Sequence, residues 1–246
     1  MTATNSWMGL IAAAGLLACA ASDDMDGPGD GSMEVDGGAP VEDEQVELAP
    51  ENVIDDLDDG DASIDEIRGR IGAWYTYNDE TAAGSQTPDP AGEFAPAAGG
   101  PRDVGFMAAT AGSGFTEWGA GMGFDLNNPG DAKGVWDGSS FTGIAFYARG
   151  NVPVRVAIAT RAVVPETAGG TCTPGPAEGE ECDDAHGEIV TLDTTWRQYV
   201  IPFAGIAQDG WGRPAAFDAA TLTGIQFQIA QGVEFDVAID EIGFYE

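Results

Sequence analysis

The chain has 246 residues with 42 acidic side chains against nine basic ones, a formal charge of −33 at pH 7. Binding to a phosphate backbone needs a basic patch, so nucleic acid is excluded as a partner. With 36 glycines, 14 prolines, many short apolar runs and no long amphipathic stretch, the folded part reads as all-β.

Residues 7–21, WMGLIAAAGLLACAA, form an apolar run too short to span a bilayer and suited to the core of a secretory signal. Within it Leu16-Leu17-Ala18-Cys19 resembles the bacterial lipoprotein signal motif, whose cysteine becomes the lipid-bearing first residue. The resemblance implies a signal peptide over residues 1–18, lipidation at Cys19 and an exported protein anchored to the outer membrane or cell surface. The first six residues, MTATNS, depart from the pattern in having no Lys or Arg. Residues 19–52 follow as an acidic linker; from Ala20 to Asn52 there are eleven acidic residues, none basic and no aromatic. Such a segment buries too little apolar surface to offset its ordering entropy, and charge repulsion extends it into a stalk.

The folded domain is expected over residues 53–246. It opens with Ile54 and Leu57 set among Asp55, Asp56, Asp58, Asp59 and Asp61. In the aromatic strand that follows, Trp74 and Thr76 share one face and Tyr75 and Tyr77 the other, and periodicity leaves open which row is core. A Gly/Pro/Ala loop leads to two strands around residues 112–114. There Gly119, Gly121 and Gly123 alternate with Ala120, Met122 and Phe124, a spacing that marks close approach of a backbone or ligand. Residues 141–160 alternate on both sides of Gly150-Asn151 and predict a β-hairpin with Ile144, Phe146, Val156 and Ile158 inward. Cys172 and Cys182 bracket a Gly/Pro/acid loop; with one nearby histidine they make a poor zinc set and a good disulfide, in keeping with an oxidising compartment.

Two more strands flank a turn at residues 193–195, and residues 222–245 read as a closing hairpin. Its inward row slips from Ile239 to Ile242, which implies a bulge on Asp240-Glu241. About eight to ten short strands with regular turns predict an antiparallel sandwich or barrel. If the alternating apolar rows are core, the opposite face gathers Tyr147, Arg149, Arg155, Arg161, Gln226 and Gln228, with Ala145, Ala157 and Ala159 leaving room for an open cleft. Arg and Gln make paired hydrogen bonds of the kind that hold vicinal hydroxyls. Trp118, Trp136, Trp196 and Trp211 are expected in core or rim packing.

The order IDDLDDGD, GIAFYARG, VRVAIATRA, TTWRQYVIPFAGI, LTGIQFQIA and FDVAIDEIGF resembles the jelly-roll, galactose-binding-like carbohydrate-binding modules, particularly family 11. The resemblance implies a β-sandwich that binds a polysaccharide or oligosaccharide without catalysis. It adds His186, which stands before EIVTL at the place of a polar groove residue of the family. It also implies a structural calcium where the first and last strands meet. Asp56-Leu57-Asp58 stands where the family has Asp-Phe-Glu, and Asp240 falls on the terminal Asp, so Asp56, Asp58 and Asp240 are the expected ligands with Asp61 in reserve. No nucleophile elbow, zinc-protease helix or phosphate loop is present in the sequence. Two function classes remain: a glycan-binding surface lipoprotein, and a structural or adhesive surface protein that contacts proteins without binding sugar.

Overall fold

The structure is a computed structural model that describes residues 45–130 and 132–246. The expected signal segment, Cys19 and the acidic run as far as residue 44 lie outside the described residues. Strands numbered in chain order form two antiparallel sheets. The first runs β10 (Arg197–Pro202), β7 (Gly143–Gly150), β12 (Phe235–Tyr245), β5 (Phe106–Ser113), β3 (Ser85–Thr87). To it β1 (Val53–Asp55) adds on β12 and β4 (Ala97–Ala98) on β5. The second runs β2 (Trp74–Asn78), β6 (Ala120–Asp125), β11 (Leu222–Ile229), β8 (Pro153–Thr160), β9 (His186–Thr191).

The core lies between the sheets and is made of the rows that alternation predicts. Ile144, Phe146, Val156, Ile158, Ile225 and Phe227 are fully buried, and Phe146 of one sheet meets Phe227 of the other edge-on at 5.2 Å. Each such side chain contributes about 1.5–3 kcal/mol by leaving water. Trp74 settles the aromatic strand: it is buried, packs on Phe124, and donates its indole N–H to the Asp55 carboxylate at 2.7 Å. Tyr75 and Tyr77 therefore face outward. The bulge falls where the slipped row places it, with the β12–β7 register shifting between Asp240 and Gly243.

The expected hairpins are not hairpins. β7 pairs with β10 and β12, whereas β8 pairs with β11 and β9, so residues 143–160 cross from one sheet to the other. The same holds for β5–β6, β9–β10 and β11–β12. Alternation records only which face of a strand is buried, and an arch between stacked sheets buries the same row as a hairpin within one. The turn shows the difference: Gly150 and Asn151 give their N–H groups to Asp193 and Asp236, not to each other's strand, and Val152 is buried. Gly-Asn is also the reverse of the Asn-Gly order that a two-residue hairpin favours.

Residues before the expected domain boundary at Val53 also pack on the sandwich. Val46 is held by the Gln198 amide, which accepts from its N–H and donates to its carbonyl, both at 2.7 Å. A one-turn 3₁₀ segment, Pro50–Asn52, then leads into β1.

Candidate functional site

The arches divide the expected ligand residues between opposite faces of the sandwich. Tyr147 and Arg149 stand on the outer face of the seven-stranded sheet, where Arg149 lies over Trp196 at 5.5 Å. Arg155, Gln226 and Gln228 stand on the outer face of the five-stranded sheet, since Gln228 pairs with Arg155 and Gln226 with Ala157 across β11 and β8. Arg161 lies just past the end of β8, exposed, beside the disulfide loop. His186 is on neither outer face. It pairs with Ile158 in the inward row, meets Phe217 edge-on at 5.5 Å, and sits 3.0 Å from the Ala215 carbonyl through Nε2. Burial lowers its pKa, which favours the neutral ring.

On the five-stranded sheet, Arg155, Gln226 and Gln228 are joined by residues from other strands. Tyr75 and Tyr77 lie beside the glycine column, and a Cβ on Gly121 would come within 2.5 Å of the Tyr77 hydroxyl. Glycine at this point lets the phenol ring cross β6 toward β11. Gln226 Nε2 donates to the Tyr75 hydroxyl at 3.3 Å, Gln228 Nε2 to Gln226 Oε1 at 3.3 Å, and Arg155 to Gln228 Oε1 at 3.4 Å. Arg155 is held more firmly at its other end, by the Ala185 carbonyl at 2.8 Å and the Asp209 carboxylate at 2.9 Å. At the Tyr75 end, Lys133 lies over the ring at 5.7 Å and pairs with Asp125 at 2.8 Å.

Two carboxylates shape the rim. Asp79 accepts backbone N–H bonds from Glu117, Trp118 and Gly119 at 2.8–3.0 Å, which sets Trp118 against Tyr77 with ring centroids 5.9 Å apart. Burial is the largest single influence and raises it, yet the hydrogen bonds to Thr81 and this loop together outweigh it and hold the Asp79 carboxyl well below the usual carboxylate range. Asp184 does the same for the far rim, taking N–H groups of Asp209, Gly210 and Gly212 at 2.9–3.1 Å and so positioning Asp209 for Arg155. Burial pushes both tyrosine hydroxyls up, Tyr77 the further. Lys133 is raised despite its own burial, because Tyr75 and Asp125 favour its charge. The arrangement offers aromatic edges, amide pairs and a fixed guanidinium along one strip, with no nucleophile–base pair among them.

The small residues Ala157 and Ala159 do not open a cleft. The loop after β8 lands on them, and Val163, Val164 and Ala185 pack with Ala157 into a second small core. The loop is joined by the Cys172–Cys182 disulfide, as its spacing predicts, with 5.8 Å between Cα atoms.

On the other outer face Asp240 is 3 % exposed beneath the glycine loop 99–105. A Cβ on Gly100 would come within 2.8 Å of Asp240 Oδ2, and one on Gly105 within 1.9 Å of Asp58 Oδ1. Burial first, then Glu241, Asp58 and Asp56, push the Asp240 carboxyl up to about 8. The three residues expected to hold calcium thus share one region. Among the described residues, however, no group of three or more Asp, Glu, His or Cys side chains is arranged to hold a metal ion. Next to it a groove of about 510 Å³ runs between Tyr147, Gln198 and the segment 45–48.

Neither a protein-family model nor a curated protein matches the chain. Among solved structures it is similar to a family 11 carbohydrate-binding module of a Clostridium thermocellum cellulosomal cellulase, with 19% identity and a TM-score of 0.46 over 70% of this chain and 86% of that one. The family 11 module of that organism in complex with a β-1,3-1,4-mixed-linked tetrasaccharide gives 19% identity and 0.46 over 76% and 95%. A family 30 carbohydrate-binding module gives 13% identity and 0.46 over 69% and 91%.

Trp118, Lys133 and Asp209 escape a sequence reading because they lie in loops whose landing place no local pattern records. Trp118 packs on Tyr77 at the rim, as expected, and yet stays 54 % exposed. The glycine column was the available signal: it marks the strand over which the outward tyrosines lie.

Proposed function

We propose that the outer face of the five-stranded sheet is a non-catalytic binding face for a saccharide chain. The observation that carries this reading is the row Tyr75–Gln226–Gln228–Arg155, flanked by Tyr77 and Trp118. Its amide-to-amide and amide-to-phenol bonds are long, 3.3–3.4 Å, while Arg155 is anchored at 2.8–2.9 Å. Long bonds between neutral groups are readily exchanged for bonds to ligand hydroxyls, whereas the anchored guanidinium keeps its place and limits the ordering cost of binding. Aromatic rings beside such a row supply the apolar contact that sugar faces need. A glycan array tests it: micromolar to millimolar binding lost in Gln228→Ala and Arg155→Ala supports the reading, and an array blank against wild type sinks it.

The second reading, a protein-contacting surface without sugar, draws on Ile189, Trp118 and Trp211, which are 67 %, 54 % and 47 % exposed. A blank array together with a partner whose binding fails in Trp211→Ala favours it. The disulfide supports work in an oxidising compartment, and Gln45 emerges on the sheet opposite the proposed face, a suitable side for a tether. Export and lipid anchoring through Cys19 are proposed on that basis; palmitate labelling unchanged in Cys19→Ser ends the anchor. The crowding of Asp56 and Asp58 around buried Asp240 supports the proposal that calcium binds there, and calcium titration of the melting temperature tests it.

A further inference from the structure

Arg161, the seventh of the nine basic residues in chain order, has a setting unlike the rest. Arg102, Arg155, Arg197 and Arg213 face carboxylates, as does Lys133. Arg68 and Arg149 lie over aromatic rings, and buried Arg70 donates to backbone carbonyls. Arg161 alone, among the described residues, has a guanidinium without a carboxylate, ring or carbonyl partner. In a chain with 42 acidic residues that is the unexpected outcome.

Arg161 lines a groove of about 650 Å³ between the disulfide loop and residues 213–221. That volume lies in the range of small-molecule sites. Both walls are pinned. The Arg161 carbonyl accepts from the Thr171 N–H at 2.9 Å, and Arg213 donates its N–H to the Glu181 carbonyl at 2.8 Å. The disulfide Cys172–Cys182 ties the wall bearing Thr171 to the segment whose Glu181 bridges to Gly212, beside Arg213. Alanines 162, 215 and 216 and Pro214 give the groove an apolar lining. The Thr171 and Thr221 hydroxyls already donate to the Arg161 and Asp218 carbonyls, at 3.3 and 3.1 Å, which leaves their oxygens as acceptors. The one lining carboxylate, Asp218, is engaged in capping Ala220 at 3.1 Å.

We infer that this groove is a second binding site, for the carboxylate of a small sugar acid, held by Arg161 with the threonine oxygens accepting from ring hydroxyls. A planar guanidinium with no internal partner matches a carboxylate bidentately. A singly charged ligand suits the site, because the charge of −33 repels polyanions over a distance while a local pair is screened less. The site lies off the sheet face and does not depend on it.

The test is titration of the full chain with D-galacturonate and with D-galactose at physiological salt, followed by NMR. Galacturonate is expected to bind roughly tenfold tighter than galactose, the worth of one charge-assisted pair. Arg161→Ala should erase that advantage and Arg161→Lys keep part of it; both are exposed substitutions, and an unchanged melt confirms the fold. Equal binding of the two sugars overturns the inference, as does an advantage that survives Arg161→Ala. Loss of the advantage in Gln228→Ala but not Arg161→Ala places the carboxylate on the sheet face; this site then falls while the saccharide reading stands.

Discussion

On the outer face of the seven-stranded sheet, Tyr147 looks into a groove roofed by residues 45–48, Arg149 rests on Trp196, and Asp240 is buried under a glycine loop. On the outer face of the five-stranded sheet, Tyr75 and Tyr77 stay half exposed beside a row of amides, and only the β8 side is covered. Both faces offer tyrosine and arginine on alternate strand positions. What separates them is the segment that lands on each, and whether its landing leaves polar heads exchangeable. Covering one face consumes its hydrogen-bonding groups, as Gln198 is consumed by Val46. On the other face Tyr75, Gln226 and Gln228 bond mainly to each other.

The comparison breaks most readily at its two arginines. Arg155→Ala removes bonds to Ala185, Ala207, Gln228 and Asp209 and leaves Asp209 without its cation, while Asp184 still holds that loop. A loss of about 2–3 kcal/mol is expected, with saccharide binding abolished. Arg149→Ala removes an exposed cation–π contact, worth about 0.5–1 kcal/mol, and should leave binding intact. Urea unfolding and the glycan array read both; equal effects of the two substitutions would show that the faces are not distinct.

Reducing the disulfide comes next. It closes a separation of 10 residues, so its loss should cost about 2–3 kcal/mol in the chain-entropy view. Because that loop packs Val163 and Val164 on Ala157, proteolysis is expected to cut first between residues 165 and 182. Cuts beginning instead in the 99–105 loop would reverse the order of the two covers.

How much of this was legible follows from what period-two alternation encodes. It fixes the inward rows, such as Ile225-Phe227-Ile229, and the slip at Asp240 that makes the bulge. It carries no information on which sheet receives a strand, so Tyr147 and Gln226 look like neighbours in sequence terms and face opposite sides in space. Nor does it foresee that Ala157 and Ala159 receive a valine pair, since a small outward residue reads the same under a loop as under water. The row Tyr75/Tyr77 was ambiguous for a related reason. Aromatic residues suit both core and platform, and only the Trp74–Asp55 bond decides between them.

Two buried carboxyls, one under the covered face and one in the core beside Trp74, also give the fold a pH signature. Asp240 is raised to about 8 and Asp55 to about 7, burial being the first cause of each, against unfolded values near 3.9. Carboxyls raised on folding bind protons more tightly in the native state, so their contribution is fully present below about pH 4. It is lost as pH climbs through 7 and 8. The urea midpoint should therefore fall between pH 5 and pH 8. Asp240→Asn, which keeps an acceptor for the Glu241 N–H, should flatten that fall and gain most at pH 8. If calcium sits among Asp56, Asp58 and Asp240, adding it at pH 8 raises the wild-type melting temperature and leaves Asp240→Asn unmoved. A melt indifferent to calcium and chelator removes the metal and keeps the pH slope.

The smallest effect is the sharpest test of the open face. The Tyr77 hydroxyl is buried without a hydrogen-bond partner; Gln228 lies near it but not in bonding geometry. A desolvated donor with nothing to bond costs stability, so Tyr77→Phe should be neutral or stabilising by up to about 1 kcal/mol. A saccharide hydroxyl reaching that point would supply the missing partner, and the same substitution should then weaken binding several-fold while the fold gains. Stability and affinity moving in opposite directions is the outcome that a purely structural tyrosine does not give. If Tyr77→Phe lowers both, the hydroxyl already has its partner inside the protein, and the ligand lies elsewhere on the strip, toward Tyr75 and Lys133.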